Sequence, residues 1–197
     1  MISKLSQRIT SKLISNGNIL EEEKDLYAYG LFMLISHLFF FFISITFGIV
    51  FSCIFESLVF YLAFQFIRRY AGGYHASTEI RCDIMSTASI LVCIMVIWLA
   101  KRYEFEIPLL FTTIISAVII FIFCPLDTPE KPLTDKERNH YRKISLFISL
   151  TISALVLISF VFEWKFLFAP SCLSLILESI LLIAGKVKKV YQLKNAK

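Results

Sequence analysis

Residues 26–67 read LYAYGLFMLISHLFFFFISITFGIVFSCIFESLVFYLAFQFI, a run of 42 residues with one formal charge, Glu56. A helix needs about 20 apolar residues to cross a hydrocarbon core about 30 Å thick. The run therefore fits two spans joined by a tight turn, expected near residues 48–52. Any open, non-helical arrangement of such a segment would leave peptide groups unpaired in lipid. Working outward, residues 84–100 carry no charge and make a third span. Residues 107–126 make a fourth, 144–162 a fifth, and 166–185 a sixth that contains Glu178. The reading is all-α, a polytopic integral membrane protein with about six transmembrane helices.

Composition agrees with this. Of 197 residues 57% are hydrophobic and 20 are Phe, and only 18% are charged, less than a soluble domain carries. The five cysteines, Cys53, Cys82, Cys93, Cys124 and Cys172, are an odd number without a C-x-x-C, so no disulfide framework is expected. A net charge of +5 raises the question of nucleic acid, but in a membrane chain the distribution of positive charge matters more than its sum. With a cytoplasmic N-terminus, 17 of the 20 basic residues fall on the inner side, leaving only Lys101, Arg102 and Lys165 outside. That asymmetry places both chain ends and two loops, roughly 68–83 and 127–143, in the cytoplasm. No nucleic-acid partner and no cofactor are expected.

The chain is read as one membrane domain, 1–197, made of an interfacial segment (1–25), a transmembrane bundle (26–185) and a basic cytoplasmic tail (186–197). In the first segment Ile2, Leu5, Ile9 and Leu13 recur at helical spacing, beside a stripe of Lys4, Arg8 and Lys12. The pattern suits an amphipathic helix lying on the inner leaflet, and equally one packed on its own protein. Asn16-Gly17-Asn18 should end it. Alternating charge and apolarity in residues 1–25 argue against a secretory leader there. Glu21, Glu22, Glu23 and Asp25 then favour the start of the first membrane helix by interaction with its dipole.

The stretch with chemical content is RRYAGGYHASTEIRC, residues 68–82. It sets paired glycines, one His and one Cys in a short basic loop at the membrane surface. Thiolate is the reactive form of cysteine, and Arg81, a protonated His75 and a helix N-terminus near Ser77 or Thr78 would each favour it. One continuous helix would separate His75 and Cys82 by about 10 Å along its axis. A Cys–His pair thus requires the chain to fold back, with the helix beginning after His75. Gly72 and Gly73 offer the backbone freedom for a re-entrant bend, tolerable at that depth if it lines a polar cavity. One His and one Cys also fit a blander account, a buried thiol and a solvated imidazole. A metal account takes His75, Glu79 and Cys82, with His140 and Cys124 as distant fourth ligands. H-E-x-x-H and G-x-S-x-G are both absent, and with them the metallopeptidase and serine-hydrolase signatures.

Gly72-Gly73-Tyr74-His75, with Cys82 seven residues after the His and Arg68 seven before it, resembles the signature of the accessory gene regulator protein B (AgrB) family. Cys124-Pro125-Leu126 followed by Lys131-Pro132-Leu133 is similar to that family's proline-containing inner loop, and length and hydropathy agree along the whole chain. The resemblance implies a cysteine endopeptidase of a Gram-positive cell membrane that cleaves the C-terminal tail of an AgrD-like quorum-sensing propeptide. The product is a cyclic thiolactone or lactone autoinducer. It implies Cys82 as nucleophile, His75 as general base, Arg68 and Gly73 as supporting positions together with Gly72, and a homodimer in the bilayer.

Other residues have weaker claims. Glu79, Asp83, Gln65 and Glu178 are candidates to orient His75 or partner it. Lys131, Lys136, Arg138, Arg142 and Lys143 form a basic loop suited to an acidic propeptide tail, and equally to plain positive-inside topology. Ionisable groups within spans are costly and usually partnered or functional, which singles out Glu178 and, less strongly, His37. A transporter would use Glu56, Glu178 and His37 to line a path, yet no inverted repeat or pair of broken helices is present. A third reading is a non-catalytic adaptor whose basic face docks anionic lipid.

Overall fold

The structure is a computed structural model that describes residues 2–74, 76, 78–103, 105–127 and 133–195. Seven α-helices make up the described chain: α1 (Ile2–Ser15), α2 (Lys24–Val50), α3 (Ile54–Ala71), α4 (Glu79–Ala100), α5 (Glu106–Phe123), α6 (Asp135–Val161) and α7 (Lys165–Asn195). The all-α polytopic reading holds. Five of the helices, α2 and α4–α7, are long and apolar enough to cross a membrane, against six expected. The difference is α3, whose 18 residues are long enough but include Glu56, Arg68 and Arg69.

Two compact units divide the chain, residues 1–43 and 44–197. In the first, α1 ends where the Asn-Gly-Asn signal put it. Gly17 adopts φ 72°, the Asn18 amide donates to Leu13 O (3.0 Å) and the Gly17 amide to Ile14 O (2.9 Å), the Schellman arrangement that satisfies orphan carbonyls. The buried stripe of α1 is Ile2, Ser6 and Thr10, whereas Leu5 is exposed. A 3₁₀ turn, Glu21–Glu23, leads into α2.

In the second unit α7 is the axis. Its apolar stretch is 67% buried, against less than a third for α4, α5 and α6, because it packs on α3, α5 and α6 at once. Ile67, Ala71, Ile120, Cys124, Ile152, Leu175 and Leu182 form the core beneath the loop that follows α3. Serines line the helix contacts. Ser179 of α7 donates to Ser116 of α5 (3.0 Å), and Ser145, Ser149 and Ser159 of α6 are buried. Small residues with local hydrogen bonds let membrane helices approach closely, where apolar burial alone gives little preference over lipid.

Several boundaries moved, α3 running to Ala71 and α4 starting at Glu79 among them. The fourth expected span stops at Phe123, before Leu126. α6 starts nine residues ahead of Ile144, because Thr134 and Glu137 form a capping box that satisfies its first amides. α7 continues through Pro170 and runs ten residues past Gly185, so most of the expected tail is helix. The turn between α2 and α3 lies where expected, and Gly48 sits so close to Ser57 that a Cβ would collide with its Oγ.

Candidate active site

The local sequence dictates an abrupt end to α3. Gly72 takes φ 77° and Gly73 φ 127°, both in the region that favours glycine. The Gly72 amide still donates to Arg68 O (3.2 Å), closing the helix. Beyond this point the chain docks onto two neighbours. Gly72 forms an isolated parallel bridge with Leu126, and the Leu126 amide donates to Ala71 O (2.8 Å). The Tyr74 amide donates to Leu181 O of α7 (2.9 Å). A Cβ on Gly72 would strike Leu126 O, and one on Gly73 would strike the Arg68 guanidinium. Both motif glycines are thus required by close approach as well as by conformation.

Arg68 braces the loop from inside. Its Nη1 donates to Gly72 O and its Nη2 to Tyr74 O, and Nη1 lies 3.9 Å from Oε1 of Glu178. Glu178 is fully buried in α7.

The chain re-enters helical conformation late. Thr78 is extended (φ −136°, ψ 148°) and caps α4, its Oγ1 accepting from the Arg81 amide (3.4 Å). The Cys82 amide closes the first turn on Thr78 O (3.0 Å). Cys82 therefore lies at the N-terminal end of α4, where the helix dipole favours an anion, and it is half-buried. The other four cysteines are buried. The helix begins after position 75, as a Cys–His pair requires. His75 itself and Lys131 lie outside the described residues.

The remaining candidates scatter. Glu79 occupies the first turn of α4 and Asp83 follows Cys82 on the same helix. Gln65 donates to the Tyr61 hydroxyl (3.0 Å). Lys136, Arg142 and Lys143, expected in a basic loop, stand on the N-terminal part of α6, which the Thr134–Glu137 capping box starts early, and they are exposed. Arg138 instead donates to Asp127 (2.9 Å), which also accepts from Lys189 of α7 (2.7 Å). The Lys189 hydrogen bond, aided by Arg138, holds the Asp127 carboxyl below the usual carboxylate range despite partial burial. Of the residues that would line a transport path, Glu56 pairs with Lys101 (2.6 Å), Glu178 faces Arg68, and His37 Nδ1 lies 2.7 Å from Met33 O.

Sequence reasoning passed over Gly185 and Asp127. Gly185 allows α7 to touch the loop: a Cβ there would stand 2.8 Å from Tyr74 N and 2.9 Å from the Gly73 carbonyl carbon. A glycine inside an apolar helix is the signal that marks such an approach. Asp127, an acid at the edge of a stretch rich in Lys and Arg, was legible as a pairing partner.

Residues 6–182 match the family described as Accessory gene regulator B. The chain is similar to an AgrB-like protein of Clostridium perfringens (32% identity, 77% of this chain and 73% of the relative). It is also similar to Protein FsrB of Enterococcus faecalis (24%, 86% and 75%) and to accessory gene regulator protein B of Staphylococcus intermedius (29%, 51% and 54%). No solved structure matches.

Proposed function

The chain belongs to the accessory gene regulator B family, and from that premise we propose that it is a membrane-embedded cysteine endopeptidase. Its substrate is an AgrD-like quorum-sensing propeptide. One observation carries the reading: Cys82, the half-exposed thiol of the five, lies in the first turn of α4 immediately after the glycine loop docked on α7.

In this reading the Cys82 thiol passes its proton to His75, and Sγ attacks the carbonyl carbon at the end of the signal segment. The tetrahedral intermediate collapses, the C–N bond breaks, and His75 returns the proton to the leaving amine of the tail. A thioester to Cys82 remains. A thiol or hydroxyl within the bound peptide then attacks it, freeing Cys82 and closing a thiolactone or lactone ring. Excluding water from the acyl-enzyme protects it against hydrolysis, which suits a site at the edge of the bilayer. Both termini and the site face the cytoplasm, the protein works as a homodimer, and Lys131, Lys136, Arg142 and Lys143 attract the acidic tail. Glu79, Asp83 and Gln65 remain candidates to orient His75.

The test is cleavage of a co-expressed AgrD-like propeptide by wild type, Cys82→Ala and His75→Ala, with membrane levels checked by blot. Cleavage by wild type alone, with all three inserted equally, is expected. Cleavage by Cys82→Ala would overturn the nucleophile assignment and direct attention to Cys124.

A further inference from the structure

Glu178 occupies a costly position. It is 0% exposed in the most buried helix, and neither carboxylate oxygen accepts a hydrogen bond among the described residues. A buried carboxylate needs a compensating charge, and membrane-embedded acids persist where they have a partner or a function. Arg68 Nη1, at 3.9 Å, provides that charge.

That same guanidinium is committed to the loop. It donates to Gly72 O and Tyr74 O at once, and the Tyr74 carbonyl belongs to the peptide bond that leads into His75. Arginine's rigid planar fork can hold two carbonyls in fixed relation, which a lysine ammonium cannot. Three residues further along α7, Leu181 O accepts the Tyr74 amide. One turn of α7 therefore grips residue 74 twice, by its main chain at Leu181 and through the Glu178–Arg68 pair.

We infer that Glu178 is a positioning residue: it fixes the Arg68 guanidinium, which fixes the carbonyls of Gly72 and Tyr74 and so the peptide unit entering His75. Glu178 acts through Arg68. The consequence for cleavage rests on the peptidase reading, whereas the clamp stands on the geometry alone.

The experiment is hydrogen–deuterium exchange on the full-length chain in lipid nanodiscs, paired with propeptide cleavage kinetics. Glu178→Gln keeps the shape and removes the charge. Exchange over residues 72–76 should speed up by about tenfold while α5 and α6 keep wild-type protection. The kcat should fall by about tenfold or more with KM within about twofold, as expected when reacting groups are misplaced but binding survives. Glu178→Asp, which retains the charge, should recover much of both. Wild-type exchange in the loop of Glu178→Gln, or a rise spread evenly over the bundle, would overturn the inference, as would Asp behaving no better than Gln. If Glu178→Gln does not insert, Arg68→Lys replaces it, since it keeps one positive charge beside Glu178 but loses the fork. The same loop-selective exchange is then expected, and wild-type protection overturns the clamp. A wild-type protein that cleaves no propeptide removes the peptidase reading and leaves the exchange measurement to judge the clamp.

Discussion

Gly185 of α7 lies directly against the main chain of Tyr74: a Cβ at position 185 would stand 2.8 Å from the Tyr74 amide nitrogen. The backbone of the loop after α3 thus rests on α7 with no side chain between them, and helix and loop cannot shift independently.

Gly185→Ala should therefore act on the loop. The new methyl meets backbone atoms of Gly73 and Tyr74, which cannot rotate away as a side-chain tip can. Overpacking of this kind costs about 1–3 kcal/mol. A lowered melting temperature in detergent, with cleavage reduced beyond the loss of folded protein, is the expected outcome. Gly30→Ala is the control. Nothing lies within 4 Å of its Cβ position in α2, so helix propensity should leave it neutral or stabilise it by up to about 1 kcal/mol.

Burial sorts the thiols. Iodoacetamide applied to the native protein should add one label, at Cys82, since Cys53, Cys93, Cys124 and Cys172 are buried. Intact mass spectrometry reads the count. Cys82→Ala should abolish the label, with four sites appearing only after denaturation. A native label at Cys124 would show that the loop opens and would weaken the assignment of the nucleophile.

The Glu56–Lys101 pair should respond asymmetrically. Glu56 is buried, while the Lys101 side chain is 39% exposed. Lys101→Met strands a carboxylate away from water, whereas Glu56→Gln leaves a cation that can turn toward solvent. The first change should cost about 1–3 kcal/mol, below the range for fully buried pairs, and the second under about 1 kcal/mol. Thermal denaturation of both variants tests the order. Neither should abolish cleavage, because the pair joins the ends of α3 and α4 opposite the loop.

The Asp127 bridge predicts a pH dependence. Its hydrogen bond from Lys189, with Arg138, depresses the carboxyl below its ordinary value. A depressed folded-state pKa contributes stability above the unfolded value, near 4, and that contribution is lost as pH falls through the folded value. Asp127→Asn should melt below wild type at pH 7, by about 1 kcal/mol or less given the exposure of both cations. The gap should close below about pH 4 and stay constant between pH 5 and 8. A gap that persists in acid would show that the bridge's charge is not what stabilises.

How much could be read in advance depends on the range of the forces involved. The helices were legible because lipid imposes a length and an apolarity on each span, and residues 26–50 or 84–100 meet both without reference to any neighbour. The end of α1 at Asn16-Gly17-Asn18 and the break before α4 were legible too, since positive-φ glycines and caps are local. The early start of α6 carried a readable signal, Thr134 and Glu137 at capping-box spacing.

By itself, then, the sequence determined the all-α membrane architecture and the glycine loop, and it singled out His75 and Cys82 as the residues to test. Only the tertiary structure decided that the loop docks between Leu126 and Leu181, that Gly185 makes room for it, and that Glu178 reaches Arg68. The physical reason is separation along the chain. Arg68 and Glu178 lie on α3 and α7, and no local preference specifies which carbonyl a guanidinium will bind or which helix will bury a carboxylate beside it. Those contacts exist because α7 is surrounded by α3, α5 and α6, and that packing is settled by the bundle as a whole.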